Sequence, residues 1–97
     1  MADLSKFFRP RSVAVVGAST NPRKIGHVLL KNIVESGFKG KVIPVHPYAK
    51  EILGLKVERS LAKLKGKVEL AVIVVPAGEV MQVLKDGARA GVKNYLI

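Results

Sequence analysis

The chain contains no cysteine and no tryptophan, and only seven acidic residues in 97. Without cysteine there are no disulfides and no thiolate metal sites, and the redox compartment stays open. Aromatic residues make up 5% of the chain. The three Phe and two Tyr residues look committed to core or turns, so there is no aromatic–basic interleaving on which bases could stack. That argues against a nucleic-acid binder. No apolar run approaches the ~20 residues of a membrane-spanning helix. The start, Met-Ala-Asp-Leu-Ser-Lys-Phe-Phe, lacks the apolar stretch of a signal peptide, so a cytoplasmic location is expected. Neither an internal repeat nor a linker is visible, and 97 residues suffice for one domain.

What is abundant is positive charge. Seventeen Lys and Arg give a net charge of +10. The basic residues are spread over the whole length, as in Arg9 and Arg11, Arg23 and Lys24, Lys39 and Lys41, and Lys63 to Lys67. Two readings follow. One is a polyanionic ligand. The other is a Lys-rich, solvated surface of the kind thermophiles carry, with scarce cysteine.

Hydrophobic residues make up 48% of the chain and fall into discrete runs, which indicates a globular fold. Leu4, Phe7 and Phe8 have helical spacing before Pro10 and predict a short N-terminal helix. Ser12 to Gly17 reads as a first strand. Lys24 to Ser36 reads as a helix with Ile25, Val28, Leu29 and Ile33 inward and Gly37 as its stop. Lys41 to His46 reads as a second strand. Pro44 cannot donate to a ladder, so that position should face an edge or bulge. Glu51 to Val57 reads as a turn with a short extended piece, and Ser60 to Leu64 as a short helix capped by Ser60.

Leu70 to Val75, with no polar alternation, is a third strand covered on both faces. A second helix runs from Ala77 to Ala90, with Val80, Val83, Leu84 and Ala88 inward. Gly87 within it implies a close approach to the sheet, and Gly91 is its stop. Asn94 to Ile97 begins a fourth strand. This alternation predicts an α/β, Rossmann-like parallel sheet of about four strands in the order 2-1-3-4, with helices on both faces. An apolar last strand with no helix behind it reads as the edge of a truncated larger domain. Such an edge invites self-association.

The most telling stretch is Ser12-Val-Ala-Val-Val-Gly-Ala-Ser-Thr-Asn-Pro-Arg-Lys-Ile-Gly26. A buried strand stops at Gly17 and gives way to small and hydroxyl residues, then to a helix start. A turn of this kind aims backbone N–H groups and the positive end of a helix dipole at one spot, where phosphate binds. The loop is neither of two familiar phosphate loops. G-x-G-x-x-G fails, because Ala18 and Ser19 follow Gly17 and the next glycine is Gly26. The acid that bonds ribose in NAD sites is replaced by His46-Pro47 at the end of the second strand. G-x-x-x-x-G-K-[ST] is also absent.

The chain resembles the N-terminal CoA-binding domain of the NDP-forming acyl-CoA synthetases. The matching pieces are Phe8-Arg-Pro-Arg-Ser-Val-Ala-Val-Val-Gly-Ala-Ser, Asn21-Pro22, Ile25-Gly26, Gly37-Phe-Lys-Gly-Lys-Val-Ile-Pro-Val-His-Pro, Ile52-Leu-Gly-Leu-Lys-Val and Leu70-Ala-Val-Ile-Val-Val-Pro-Ala. They cover essentially the whole chain.

The resemblance implies that coenzyme A lies at the carboxyl ends of the strands. Gly17, Ala18, Ser19 and Thr20, with Lys24, Ile25 and Gly26, would hold its phosphates. Val45, His46 and Pro47 would lie against the adenosine, and Lys50 is the nearest basic residue for the 3′-phosphate. Val75 and Pro76 would meet the pantetheine arm. The family's catalytic histidine and its nucleotide-grasp domain do not fit in 97 residues, so the chain is expected to bind CoA or acyl-CoA and catalyse nothing alone. Its partners would be the remaining domains or subunit of the parent enzyme. Three further readings stand beside it: a regulatory Rossmann domain that senses NAD(H), a basic nucleic-acid binder, and a structural or engineered fragment without activity.

Overall fold

The computed structural model describes residues 10–97. The N-terminal helix expected around Leu4 to Phe8 lies outside these residues. Within them the chain runs β1 (Ser12–Val16), α1 (Ile25–Glu35), β2 (Lys41–Val45), β3 (Glu51–Ile52), β4 (Leu55–Lys56), a 3₁₀ turn (Leu61–Lys63), β5 (Leu70–Ile73), α2 (Ala77–Ala90) and β6 (Asn94–Leu96). The main sheet is four-stranded in the order β2-β1-β5-β6. All three pairings are parallel. This is the expected 2-1-3-4 arrangement, with a small separate β3–β4 hairpin between its second and third strands.

β1 is buried along its whole length because it has a neighbour on each side and a helix over each face. Its side chains alternate between two cores, as the pleat requires. Ala14 and Val16 pack with Ile43, Ile73, Leu61, Leu64 and Val83 on the α2 side. Val15 packs with Leu30, Ala18, Ile52 and Val57 on the α1 side. Helices therefore cover both faces.

β2 is an edge of this sheet, which accommodates Pro44. Its carbonyl accepts from Glu58 N–H at 2.9 Å, on the outer side of the strand where the missing N–H would have pointed. The Glu51 to Val57 stretch is more structured than its composition implied. Leu53 (φ 52°) and Gly54 (φ 77°) are both left-handed, the geometry of a tight two-residue hairpin turn.

Two helical stripes differ from expectation. On α1 the buried residues are Gly26 and Leu30, with Ile33 partly buried against the same core. Ile25 is 67% exposed and Val28 44% exposed. The reason is a close approach: a Cβ on Gly26 would collide with the Gly17 carbonyl oxygen. The bare Gly26 face must therefore turn to the sheet, which swings Ile25 and Val28 outward.

On α2, Val83, Gly87 and Ala90 are buried while Ala88 is exposed. Gly87 faces the Tyr95 ring of β6, to which a Cβ would come within 2.9 Å at Cε1. Tyr95 Oη donates to Val92 O at 2.9 Å. Gly91 (φ 79°) ends the helix, and Val92 N–H donates back to Gly87 O at 2.9 Å. No helix among the described residues is long and apolar enough to cross a membrane.

Candidate functional site

Three strand ends meet at Gly17. Its N–H donates to Val45 O of β2 at 3.2 Å. On the other side, a Cβ at Gly17 would meet the Val74 carbonyl just past β5, with the carbonyl carbon at 2.8 Å. Gly17 also has φ 97°, a conformation that L side chains rarely adopt. The backbone is therefore closely packed at the carboxyl edge of the sheet where the turn leaves β1. In open α/β sheets ligands lie just outside such strand ends.

The loop from Ser19 to Lys24 is held by its own polar groups. Ser19 Oγ accepts from Asn21 N–H at 3.0 Å. Asn21 Oδ1 accepts from Arg23 N–H at 3.0 Å. Asn21 O accepts from Lys24 N–H at 3.0 Å. His27, on the first turn of α1, reaches back with Nδ1 at 2.8 Å from Ser19 O. A carbonyl only accepts, so that nitrogen carries the proton. The loop is thus tied to the helix it precedes, a role that local sequence patterning does not mark.

The start of α1 suits an anion. No side chain caps it at Lys24, and its first turn contains no acid. The first turn of α2, by contrast, contains Glu79. The positive pole and open N–H groups of α1 are available to a negative ligand, with Arg23 and Lys24 exposed beside them.

Two depressions flank the Gly17 turn. One, about 590 Å³, lies toward α1 and is lined by Gly17, Lys24, Ile25, Gly26, Val75 and Pro76, among others. The second, about 320 Å³, lies toward α2 and brings Gly17 and Val75 together with Val45, Pro47 and Arg59. Eight of the thirteen expected site residues thus line this one edge. The other five stand differently. Ala18 is buried in the α1-side core, leaving only its backbone for a ligand. Ser19 is half-buried and Thr20 exposed on the loop. His46 Nδ1 accepts from the N–H groups of Tyr48 (3.0 Å) and Ala49 (2.9 Å), so its ring shapes the turn after β2. Lys50 is exposed and its carbonyl accepts from Val57 N–H at 3.0 Å.

Among the described residues no cluster of His, Cys, Asp or Glu could hold a metal ion. The arrangement offers backbone N–H groups, cations and apolar walls, which are the means of holding a long phosphorylated ligand.

Residues 11–97 match the family model described as a CoA binding domain. The chain belongs to the CoA-binding domain family. Its relatives include the alpha subunit of acetate–CoA ligase [ADP-forming] I from Pyrococcus furiosus, 45% identical over 94 residues. That match takes in 93% of this chain and 20% of the relative. Among solved structures, the apo dinucleotide-forming acetyl-coenzyme A synthetase 1 of Candidatus Korarchaeum cryptofilum superposes with a TM-score of 0.88 at 46% identity. It covers 96% of this chain and 20% of that one. A conserved hypothetical protein from Pyrococcus furiosus superposes with a TM-score of 0.80 at 44% identity, over 88% of this chain and 72% of its own. The CoA-binding domain described here thus spans about a fifth of the length of the ligases it resembles.

Beyond the family's motif positions, this CoA-binding domain places Arg59, Glu79, Gln82 and Asp86 on the α2-side cavity. None was singled out from sequence. Arg59 reaches the site through pairing between Val45 and Glu58, a contact between positions far apart in the chain that local patterning does not reveal. The α2 residues had only a helix periodicity to mark them.

Proposed function

We propose that this domain holds coenzyme A for an ADP-forming acyl-CoA synthetase. The complete enzyme would interconvert acyl-CoA, ADP and phosphate with a carboxylic acid, CoA and ATP. The Gly17–Gly26 turn and the α1 N-terminus, with Arg23 and Lys24, take the diphosphate. Val45 and Pro47 form the apolar rest for the adenosine, beside the turn that His46 stabilises. Val75 and Pro76 face the pantetheine arm. None of these side chains is given a catalytic role: they bind and orient, and the acyl chemistry belongs to other parts of such a ligase. The single observation that carries the reading is the convergence of three strand ends on Gly17, beneath an uncapped, acid-free helix start.

The NAD(H)-sensing alternative is not favoured. The end of β2 presents His46-Pro47 where a ribose-binding acid belongs, and the imidazole is occupied by two backbone donors. The outer edge of β6 is unpaired among the described residues, and Leu96 is 60% exposed. This supports the association expected from the sequence, with a further part of a ligase or with a second copy of the chain.

Calorimetric titration with CoA and with NAD+ tests the reading. CoA is expected to bind at least roughly tenfold more tightly, the equivalent of about one charge-assisted hydrogen bond. Preference for NAD+ would transfer the chain to the sensing class.

A further inference from the structure

No motif marks Arg59, yet the fold fixes it firmly at the adenosine end of the site. Val45 and Glu58 form an isolated parallel bridge. Glu58 N–H donates to Pro44 O and His46 N–H donates to Glu58 O, each at 2.9 Å. Arg59 follows directly and so stands alongside the end of β2. On its other side Ser60 Oγ accepts from Ala62 N–H at 3.2 Å and starts the 3₁₀ turn. The Arg59 backbone is therefore pinned from both directions, while its side chain is exposed and makes no ion pair among the described residues.

Arg59 shares the 320 Å³ cavity with Val45 and Pro47. The interior is apolar, with Leu61 and Val75, and α2 contributes Glu79, Gln82 and Asp86. Gln82 Nε2 donates to Asp86 Oδ1 at 3.0 Å, which leaves Gln82 Oε1 and the carboxylates as acceptors. Acceptors in an apolar slot suit the exocyclic amine of a purine and repel phosphate. Arg59 is the cation on the same cavity. A guanidinium presents a planar fork that matches a phosphate bidentately, which a lysine ammonium does not. Lys50 lines neither depression; it immediately precedes β3, and its carbonyl accepts from Val57 N–H at 3.0 Å.

We infer that Arg59, rather than Lys50, meets the 3′-phosphate of bound CoA and sets the preference for CoA over dephospho-CoA. This rests on the reading of the site as a CoA site.

The test is calorimetric titration of the 97-residue chain, as wild type, Arg59→Gln, Arg59→Lys and Lys50→Gln, with CoA and with dephospho-CoA. Circular dichroism checks that each variant is folded. Wild type is expected to prefer CoA roughly tenfold, as loss of one charge-assisted phosphate contact predicts. Arg59→Gln should bring the two ligands to within about twofold of each other, and Arg59→Lys should restore part of the preference. A wild type that binds CoA and dephospho-CoA equally overturns the role of Arg59 while leaving the CoA site standing. So does an Arg59→Gln variant that keeps the full preference, or loss of the preference in Lys50→Gln alone. Failure of the wild type to bind either ligand overturns both readings.

Discussion

Gly26→Ala is expected to lower the stability of the domain by about 3 kcal/mol and weaken CoA binding at least tenfold. The added methyl group would be driven against the Gly17 carbonyl oxygen, with the carbonyl carbon at 2.9 Å and Ala18 Cα at 3.2 Å. These are backbone atoms of the turn after β1 and cannot rotate aside as a side chain would. Gly17 is itself held between β2 and the end of β5. Relief therefore has to come from α1 moving away from the loop. That displacement also withdraws the helix N-terminus from the place where the phosphates would lie. Stability and affinity fall together because one contact serves both. Chemical denaturation and calorimetric titration of the variant check the two parts. Full affinity in a folded Gly26→Ala protein would mean that the α1 N-terminus does not take part in binding.

Leu30→Ala separates these effects. Leu30 is fully buried under β1, with Val15, Ala18, Ile52 and Val57 around it. Deleting its branched end leaves a cavity between α1 and the sheet, at a cost of about 3 kcal/mol. For a domain of this size that lowers the melting temperature by more than about 10 °C. The Gly17–Gly26 contact, the His27 tether to Ser19 and the uncapped helix start remain in place. The variant, studied well below its melting temperature, should bind CoA within about threefold of wild type, since the cavity opens in the middle of α1 and the helix start stays seated on the Gly17 turn. A loss of affinity as large as that of Gly26→Ala would show that the α1-side core, and not the turn, controls the site.

The order of the main sheet was legible because its strongest strands announce themselves. β1 and β5 are β-branched runs without polar alternation, so they are central and parallel. α2 ends where Gly91 permits a left-handed residue. The turn at Gly17 was legible for the same local reason. What could not be read is set by contacts between distant positions. The outward swing of Ile25 and Val28 follows from one approach between Gly26 and Gly17, and apolar spacing alone puts those two residues inward. The β3–β4 hairpin has strands of only two residues, too short for any periodicity. Arg59 arrives beside Pro47 only through the Val45–Glu58 bridge. The motif positions that line the Gly17 edge were thus legible in the sequence, while the residues that surround them depend on tertiary pairing.

The most direct measurement is a titration of the isotopically labelled chain with CoA, followed residue by residue through its backbone amide resonances. The account predicts that the largest changes fall on Gly17 to Gly26, with a second group at His46 and around Val75. Changes confined to other surfaces, such as the β3–β4 hairpin or the outer face of β6, would contradict a CoA site at the carboxyl edge of the sheet.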